Sequence, residues 1–266
     1  MHKPKKAQRL TKQHTTGQTM EVVEFLGLPG VGKTLLCHAS AELLRDEGLL
    51  INEITYDIAN LGSLQRYLRK WRYVLQQVLL HPGLSSQMLQ VIIKSRQQGF
   101  WSGFRVAFNW LYVTSIVRKG TTSKRIFLLD QGIFQGVWSV LFNAKEPNLT
   151  HSLAQTILKM YSSEISVPIL VIIVYADRDA VMQRLRQRKG GRSPLNGVSN
   201  PDLSKAEDAL EGTKAVLSIV AGTHQSVSVI VINNAQTNDT REIVSELCSA
   251  IRGGKVREHL SNKGGF

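Results

Sequence analysis

Short apolar runs alternate along the chain with longer stretches in which apolar residues recur every three or four positions. The first run, 22–26, leads into a glycine-rich turn, after which apolar residues at helical spacing continue to Leu44. Further apolar runs predict strands at 49–56, 125–129, 167–176 and 227–232. Strands that alternate with helices pair in parallel, and helices cover both faces of their sheet. The pattern therefore predicts a three-layer α/β fold around a central, parallel, five-stranded sheet.

The glycine-rich turn is the most specific motif in the sequence. Its glycines are followed by Lys33 and Thr34 at the spacing of a phosphate-binding loop. In such a loop, backbone N–H groups surround phosphate oxygens, the lysine reaches the β- and γ-phosphates, and the hydroxyl binds Mg²⁺. The helix that follows directs the positive end of its dipole at the same phosphates. The motif predicts a site for a nucleoside triphosphate, interpreted as ATP, and for Mg²⁺, lined by Gly27, Leu28, Pro29, Gly30, Val31, Gly32, Lys33, Thr34 and Leu35.

An acidic residue, Asp130, directly follows the apolar run at 125–129. If this strand neighbours the loop strand, the carboxylate emerges beside Thr34. There it can hold Mg²⁺ directly or through water, or accept the proton of an acceptor hydroxyl. We therefore predict that Asp130 is a catalytic residue and that Thr34 and Asp130 are the metal ligands. The alternative is a carboxylate that only ends a strand in a turn.

Arginines cluster after the fourth apolar run. Arg184 and Arg188 are four positions apart and share one face of a predicted helix, and Arg192 follows in a glycine-containing loop. Guanidinium groups stabilise the charge of a phosphoryl group in transfer, above all under a lid that excludes water. We predict an arginine-rich lid over 184–200, in which Arg184, Arg188 and Arg192 join Lys33 as catalytic residues. The alternative is a solvated basic end of a helix.

The stretch 62–118 is predicted to be a mostly helical insert, with helices at 64–80, 86–97 and 104–119. It would leave room for a phosphoryl acceptor. Its first helix could bind an anionic or ring-bearing acceptor through Arg66, Arg69, Arg72, Tyr67, Trp71 and Tyr73. We favour the alternative, an amphipathic helix whose core-facing residues are Leu64, Leu68 and Leu75. The same expectation of a core position applies to Trp101, Phe104 and Trp110.

The formal net charge of the chain is +13, and much of it lies near the two ends. The segment 1–20 carries five lysines and arginines without an acid, and 252–266 adds a net charge of +3. Charge concentrated at the ends is weak evidence for a shaped binding surface, so nucleic acid is not an expected partner. We interpret 1–20 as a disordered basic arm, 21–252 as one domain and 253–266 as a flexible tail.

Two further features restrict the class of protein. The longest apolar run, 167–176, is far shorter than the roughly 20 residues of a membrane-spanning helix, so no span is expected. The two cysteines, Cys37 and Cys248, lie far apart in the sequence and do not indicate a disulfide framework. A cytoplasmic protein fits this pattern.

With these parts in this order, residues 21–252 resemble the P-loop nucleoside and nucleotide kinases of the thymidylate kinase type. The resemblance implies the P-loop NTPase fold and transfer of the γ-phosphoryl group of ATP to a small-molecule acceptor, such as a nucleoside or nucleotide. It leaves a homodimer open as the assembly. The chain departs from the family at Gln131, where an arginine is usual. It also lacks the acid directly before Gly27 that many thymidylate kinases carry, so thymidylate itself is not implied.

Other nucleotide-binding classes fit the residues less well. AAA-type ATPases place a glutamate after the strand-end aspartate to polarise water, but Gln131 cannot act as a general base. A GTPase needs a guanine-reading Asn-Lys-x-Asp run, which the sequence lacks. We favour a kinase, with a hydrolysing ATPase and a non-catalytic nucleotide-binding regulator as the alternatives.

Overall fold

A parallel sheet of five strands forms the centre of the protein in a computed structural model, which describes residues 22–120, 123–146, 148–163, 165, 167–187, 200–234 and 240–253. The strands are β1 (Val22–Leu26), β2 (Ile51–Asn52), β3 (Ile126–Leu129), β4 (Ile169–Tyr175) and β5 (Val227–Asn233). They lie in the spatial order β2-β3-β1-β4-β5, and every neighbouring pair is parallel. The predicted α/β class with a parallel five-stranded sheet is confirmed.

The central strand, β1, fixes the layers of the fold. It pairs with β3 on one side and with β4 on the other, so that Val23 lies opposite both Leu128 and Leu170. All five residues of β1 are buried. Because successive side chains of a strand point to opposite faces, helices must cover both faces of the sheet here.

Ten helices occur in the described part of the chain. They are α1 (Lys33–Asp46), α2 (Ile54–Ala59), α3 (Ser63–Leu80), α4 (Pro82–Lys94), α5 (Phe100–Gly120), α6 (Ile133–Asn143), α7 (Thr150–Ser163), α8 (Arg178–Gln187), α9 (Asn200–Thr223) and α10 (Thr240–Gly253). α1 packs on α10 and on β1 and β3, whereas α5, α6 and α9 lie side by side and contact β3, β1 and β5. α3 packs on α5 and α4, outside this layer.

The second strand is shorter than the sequence predicts. Only Ile51 and Asn52 pair with β3, and α2 already begins at Ile54. The chain turns at Glu53, whose buried carboxylate forms an ion pair with Arg45 at 2.7 Å and lies 3.2 Å from Nδ1 of His38. Tyr56, which was expected at the end of a strand, therefore lies on α2 together with Asp57.

The three predicted helices of the insert correspond to α3, α4 and α5, but the orientation predicted for α3 is wrong. Leu64, Leu68 and Leu75 are 72%, 61% and 52% exposed. The helix instead packs through its other face, which buries Val74 and Gln77. Trp110 is buried as expected, whereas Trp101 and Phe104 are exposed near the start of α5.

Some sequence predictions fall outside the described residues. These are the basic arm at 1–20, the tail beyond Gly253 and most of the lid, including Arg188 and Arg192. Within the described residues, no helix is long and apolar enough to cross a membrane. Cys37 and Cys248 are both buried and free.

A buried carboxyl group connects β1 to α6. Glu24 is 1% exposed, and its Oε1 accepts a hydrogen bond of 2.9 Å from the backbone N–H of Gln135. Gly132 lies against this carboxyl group so closely that a Cβ at position 132 would overlap it. Burial raises the pKa of Glu24 to about 8, although the N–H groups at the start of α6 oppose the rise. Glu24 is therefore protonated in the folded protein at neutral pH.

The raised pKa of Glu24 makes the stability of the protein depend on pH. The folded-state pKa of about 8 lies above the usual value of 4.5, so the folded state holds the proton more tightly. The contribution of the Glu24 proton to the stability of the folded state is fully present below pH 4.5 and is lost as the pH rises towards 8. In this window, Glu24 lowers the free energy of unfolding by up to about 1.4 kcal/mol per pH unit.

We expect Glu24→Gln to flatten this dependence, because the amide is neutral at every pH and its oxygen can still accept the N–H of Gln135. Urea denaturation of both proteins between pH 5 and pH 8 measures the effect. Glu246→Gln, at an exposed position of α10, serves as the control and should leave the slope unchanged. Parallel pH profiles for Glu24→Gln and the unmodified protein would contradict the assignment.

Candidate active site

The turn between β1 and α1 has the backbone conformation that its glycines allow. Gly30 and Gly32 have φ angles of 94° and 98°, in the left-handed region that other residues rarely adopt. A Cβ at Gly30 would lie 3.2 Å from Leu185, and one at Gly32 would overlap the side-chain amide of Asn234. The loop therefore needs glycine at both positions for its conformation and for its close contacts.

The remaining loop residues fix this turn and expose the start of α1. Leu28 and Val31 are buried in the core, whereas Leu35 is exposed and contributes only its backbone at the first turn of the helix. No side chain caps the N-terminus of α1. Amides at an uncapped helix start, next to a glycine loop, form a site that fits phosphate oxygens.

The structure brings Thr34 and Asp130 together. The hydroxyl of Thr34 donates a hydrogen bond of 3.0 Å to Oδ2 of Asp130. This contact follows from the pairing of β1 with β3, because parallel neighbours end at the same edge of the sheet. A hydroxyl and a carboxylate are hard oxygen donors of the kind that Mg²⁺ accepts together with phosphate oxygens and water. Among the described residues, no group of three or more His, Cys, Asp or Glu side chains is arranged so that it could hold a metal ion.

Lys33 lies along the loop itself. Its ammonium group donates hydrogen bonds to the carbonyl oxygens of Gly27, at 2.7 Å, and Leu28, at 2.9 Å. The two hydrogen bonds keep the ammonium group next to the loop that precedes α1.

Arg184 contacts the backbone of the glycine loop. From α8, its Nη1 donates to the carbonyl oxygens of Gly30, at 3.4 Å, and Val31, at 3.3 Å. Of the three predicted lid arginines, Arg184 thus lies beside the glycine loop. Arg188 and Arg192 lie outside the described residues.

Sequence reasoning missed Asn234, a second residue that supports the loop. It directly follows β5, is buried, and its Nδ2 donates a hydrogen bond of 2.7 Å to the carbonyl oxygen of Val31. Its own N–H donates to the carbonyl oxygen of Tyr175, at the end of β4. The available indication was a polar residue at the carboxyl end of an apolar strand, where ligands approach parallel sheets.

Lys70 is another residue that the sequence did not single out. It projects from α3, where its ammonium group donates to Oδ1 of Asn109 at 3.2 Å and lies 4.8 Å from the ring centre of Tyr112. Burial, and then the nearby Arg66 guanidinium, lower the pKa of Lys70, whereas the carboxylate of Asp130 raises it. The contacts with Asn109 and Tyr112 fix the position of the partly buried Lys70 ammonium group between α3 and α5.

Tyr112 of α5 completes this group. Burial raises the pKa of its phenol, and the charges of Tyr73 and Asp130 add to the rise, so the group stays protonated. Its buried hydroxyl has no hydrogen-bond partner among the described residues. A buried hydroxyl without a partner carries a free-energy cost that a bound polar molecule would remove.

The contact of Asn234 with Val31 generates a testable prediction. In Asn234→Asp, a carboxylate would face the carbonyl oxygen of Val31 and add negative charge beside the loop. If the loop binds ATP, we expect the affinity to fall at least about fivefold, since a mispaired buried polar group costs about 1–3 kcal/mol. Isothermal titration calorimetry measures the affinity. Asn233→Asp introduces the same charge at the exposed neighbouring position and should change it far less; equal losses in both variants would contradict a specific role for Asn234.

Comparisons with known proteins place few constraints on this site. No protein-family model and no curated protein matches the chain. Among solved structures, shikimate kinase from Acinetobacter baumannii in complex with shikimate is similar to it, with a TM-score of 0.44 and 17% identical residues. The match covers 90% of this chain and 97% of that chain. At this level of similarity, the comparison establishes neither a family nor a substrate.

Proposed function

We propose that the protein is an ATP- and Mg²⁺-dependent phosphotransferase that acts on a small-molecule acceptor. The observation that carries this proposal is the hydrogen bond of 3.0 Å between Thr34 and Asp130, next to the glycine loop and the uncapped start of α1. Phosphate-binding amides, a loop lysine, a hydroxyl and a strand-end carboxylate are the parts that phosphoryl transfer from a nucleotide requires.

The nucleotide would bind on residues 27–35. Amides of the loop and of the first turn of α1 would bind phosphate oxygens, and Lys33 would exchange its loop carbonyls for the β- and γ-phosphates. Thr34 and Asp130 would hold Mg²⁺, which neutralises the charge of the phosphates when bound.

In the transfer step, an acceptor oxygen forms a bond with the γ-phosphorus, and the bond from phosphorus to the β–γ bridging oxygen breaks to release ADP. A hydroxyl acceptor also loses its proton, and Asp130 is the carboxylate in position to accept it or to orient metal-bound water. Lys33 and Arg184 would stabilise the transferred group, together with the predicted lid residues Arg188 and Arg192.

The acceptor would occupy the space between α3, α5 and the end of β3. Lys70, Tyr112 and Asn109 would line it. The buried hydroxyl of Tyr112, which lacks a hydrogen-bond partner among the described residues and lies beside the Lys70 ammonium group, supports this placement. A partly buried ammonium group favours an acceptor with an anionic or strongly polar part. A nucleoside or nucleotide acceptor, as in kinases of the thymidylate kinase type, is the specific form of this proposal.

Turnover of γ-labelled ATP with a panel of nucleosides, nucleoside monophosphates and hydroxylated metabolites tests the proposal. We expect label to move to one acceptor. Lys33→Ala and Asp130→Asn should each reduce kcat by at least about 100-fold, because each removes charge stabilisation from the transition state. Exclusive release of inorganic phosphate would favour an ATPase, and ATP binding without any turnover would favour a non-catalytic regulator.

Lys70 should distinguish the acceptor site from the nucleotide site. We expect Lys70→Met to raise KM for the acceptor at least about tenfold, since it removes a charged contact with that substrate, while KM for ATP changes little. Lys159→Met, at an exposed position of α7, is the matched control. Steady-state kinetics with each substrate varied in turn measures both constants. A selective rise in KM for ATP would contradict this placement of the acceptor.

A further inference from the structure

Large apolar side chains form an exposed surface on the helical insert. On α3, they recur at alternating spacings of four and three, which places them along one side of the helix. The surface continues onto the first turn of α5. We call it the outer face, and its residues are Leu64, Leu68, Trp71, Leu75, Val78, Leu79, Phe100, Trp101 and Phe104.

Aromatic contacts make the outer face continuous between the two helices. The ring centres of Trp71 and Phe104 are 6.4 Å apart, those of Phe104 and Trp101 are 6.3 Å apart, and those of Trp101 and Phe100 are 5.5 Å apart. Phe100 and Trp101 are the outermost members, at 79% and 74% exposure. The set is therefore one patch rather than scattered residues.

The outer face is too large for an ordinary solvent-facing surface. Four of the nine side chains are aromatic, with about 150–250 Å² each when fully accessible, and five are aliphatic and somewhat smaller; at exposures of 37% to 79%, the nine together expose on the order of 1,000 Å². The largest apolar patch of a typical monomer is about 300–600 Å². A patch of this size indicates a surface that is covered by a partner.

The charge around the outer face limits what that partner is. Residues 63–120 contain nine lysines and arginines and no aspartate or glutamate. Arg72 is one helical turn from Leu68, and Arg105 is one turn from Trp101, so exposed guanidinium groups border the apolar side chains directly. The net charge of the chain does not show this acid-free stretch, because acidic residues elsewhere in the sequence offset its positive charge.

We propose that the outer face binds the surface of an anionic lipid bilayer, with α3 and the start of α5 lying on the membrane. Leucine, tryptophan and phenylalanine enter the boundary between headgroups and acyl chains, and flanking arginines and lysines contact anionic headgroups. Both features of the face are used in this arrangement. The proposal does not depend on the reaction that the active site catalyses.

The charge pattern argues against a second copy of the chain as the occupant. In a symmetric dimer, the same patch meets itself, so the basic residues of one insert would face those of the other without an acid to pair with. An anionic bilayer instead attracts every one of these charges.

Co-sedimentation with vesicles tests the proposal on the full chain. We expect binding to vesicles of phosphatidylcholine and phosphatidylserine in equal parts, much weaker binding to phosphatidylcholine alone, and release when NaCl is raised to about 0.5 M. No binding to the anionic vesicles would overturn the proposal. So would a dimer, detected by light scattering, that Phe100→Gln/Trp101→Gln converts to a monomer without any vesicle binding by the parent protein.

Two pairs of variants locate the binding surface. Phe100→Gln/Trp101→Gln should weaken binding to the anionic vesicles at least about tenfold. Ile219→Gln, at an exposed position of α9, should not weaken it, and Trp101→Phe should retain binding.

Arg69→Glu/Arg72→Glu should weaken binding to a similar degree. Lys124→Glu/Arg125→Glu makes the same charge change at exposed positions just before β3, beyond the end of α5 opposite to Phe100. Equal losses in both charge-reversal variants would overturn the assignment to the outer face.

Discussion

The parallel pairing of β1 with β3 and β4 is the constraint on which the candidate site depends. It places the ends of three strands at one edge of the sheet, so that the loop after β1 and Asp130 after β3 meet within hydrogen-bond distance. β4 pairs in parallel with β5 as well as with β1, so the end of β5 lies at the same edge of the sheet. Asn234, which follows β5, therefore contacts the same loop. Residues about 200 positions apart in sequence thereby support one turn of backbone.

Local motifs were predictable from the sequence, whereas contacts set by helix packing were not. The loop at 27–34 is continuous in sequence, and the position of Asp130 follows from a general property of parallel strands. Lys70 gave no comparable indication, because its contacts with Asn109 and Tyr112 depend on how α3 packs against α5. The amphipathic pattern of α3 identified an apolar face correctly, but periodicity does not say whether such a face meets the core or lies outside.

The insert consequently has two sides with different chemistry. Its inner side carries the partly buried ammonium group of Lys70 and the buried hydroxyl of Tyr112, and the burial of this hydroxyl without a hydrogen-bond partner among the described residues costs free energy. Its outer side exposes leucines and tryptophans to water, which is unfavourable for apolar side chains. α3 contributes to both sides.

The close contact between Glu24 and Gly132 restricts how the sequence can change. No side chain larger than hydrogen fits at position 132 while the buried carboxyl group occupies the space beside it. A smaller residue at position 24 would open that space but would remove the acceptor for the amide at the start of α6. The two positions should therefore vary together among related sequences, with residues larger than glycine at 132 appearing only where position 24 is small. The contact also accounts for Gly132, two positions after Asp130: the residue there is restricted by a buried group in the core as well as by its place at the edge of the candidate site.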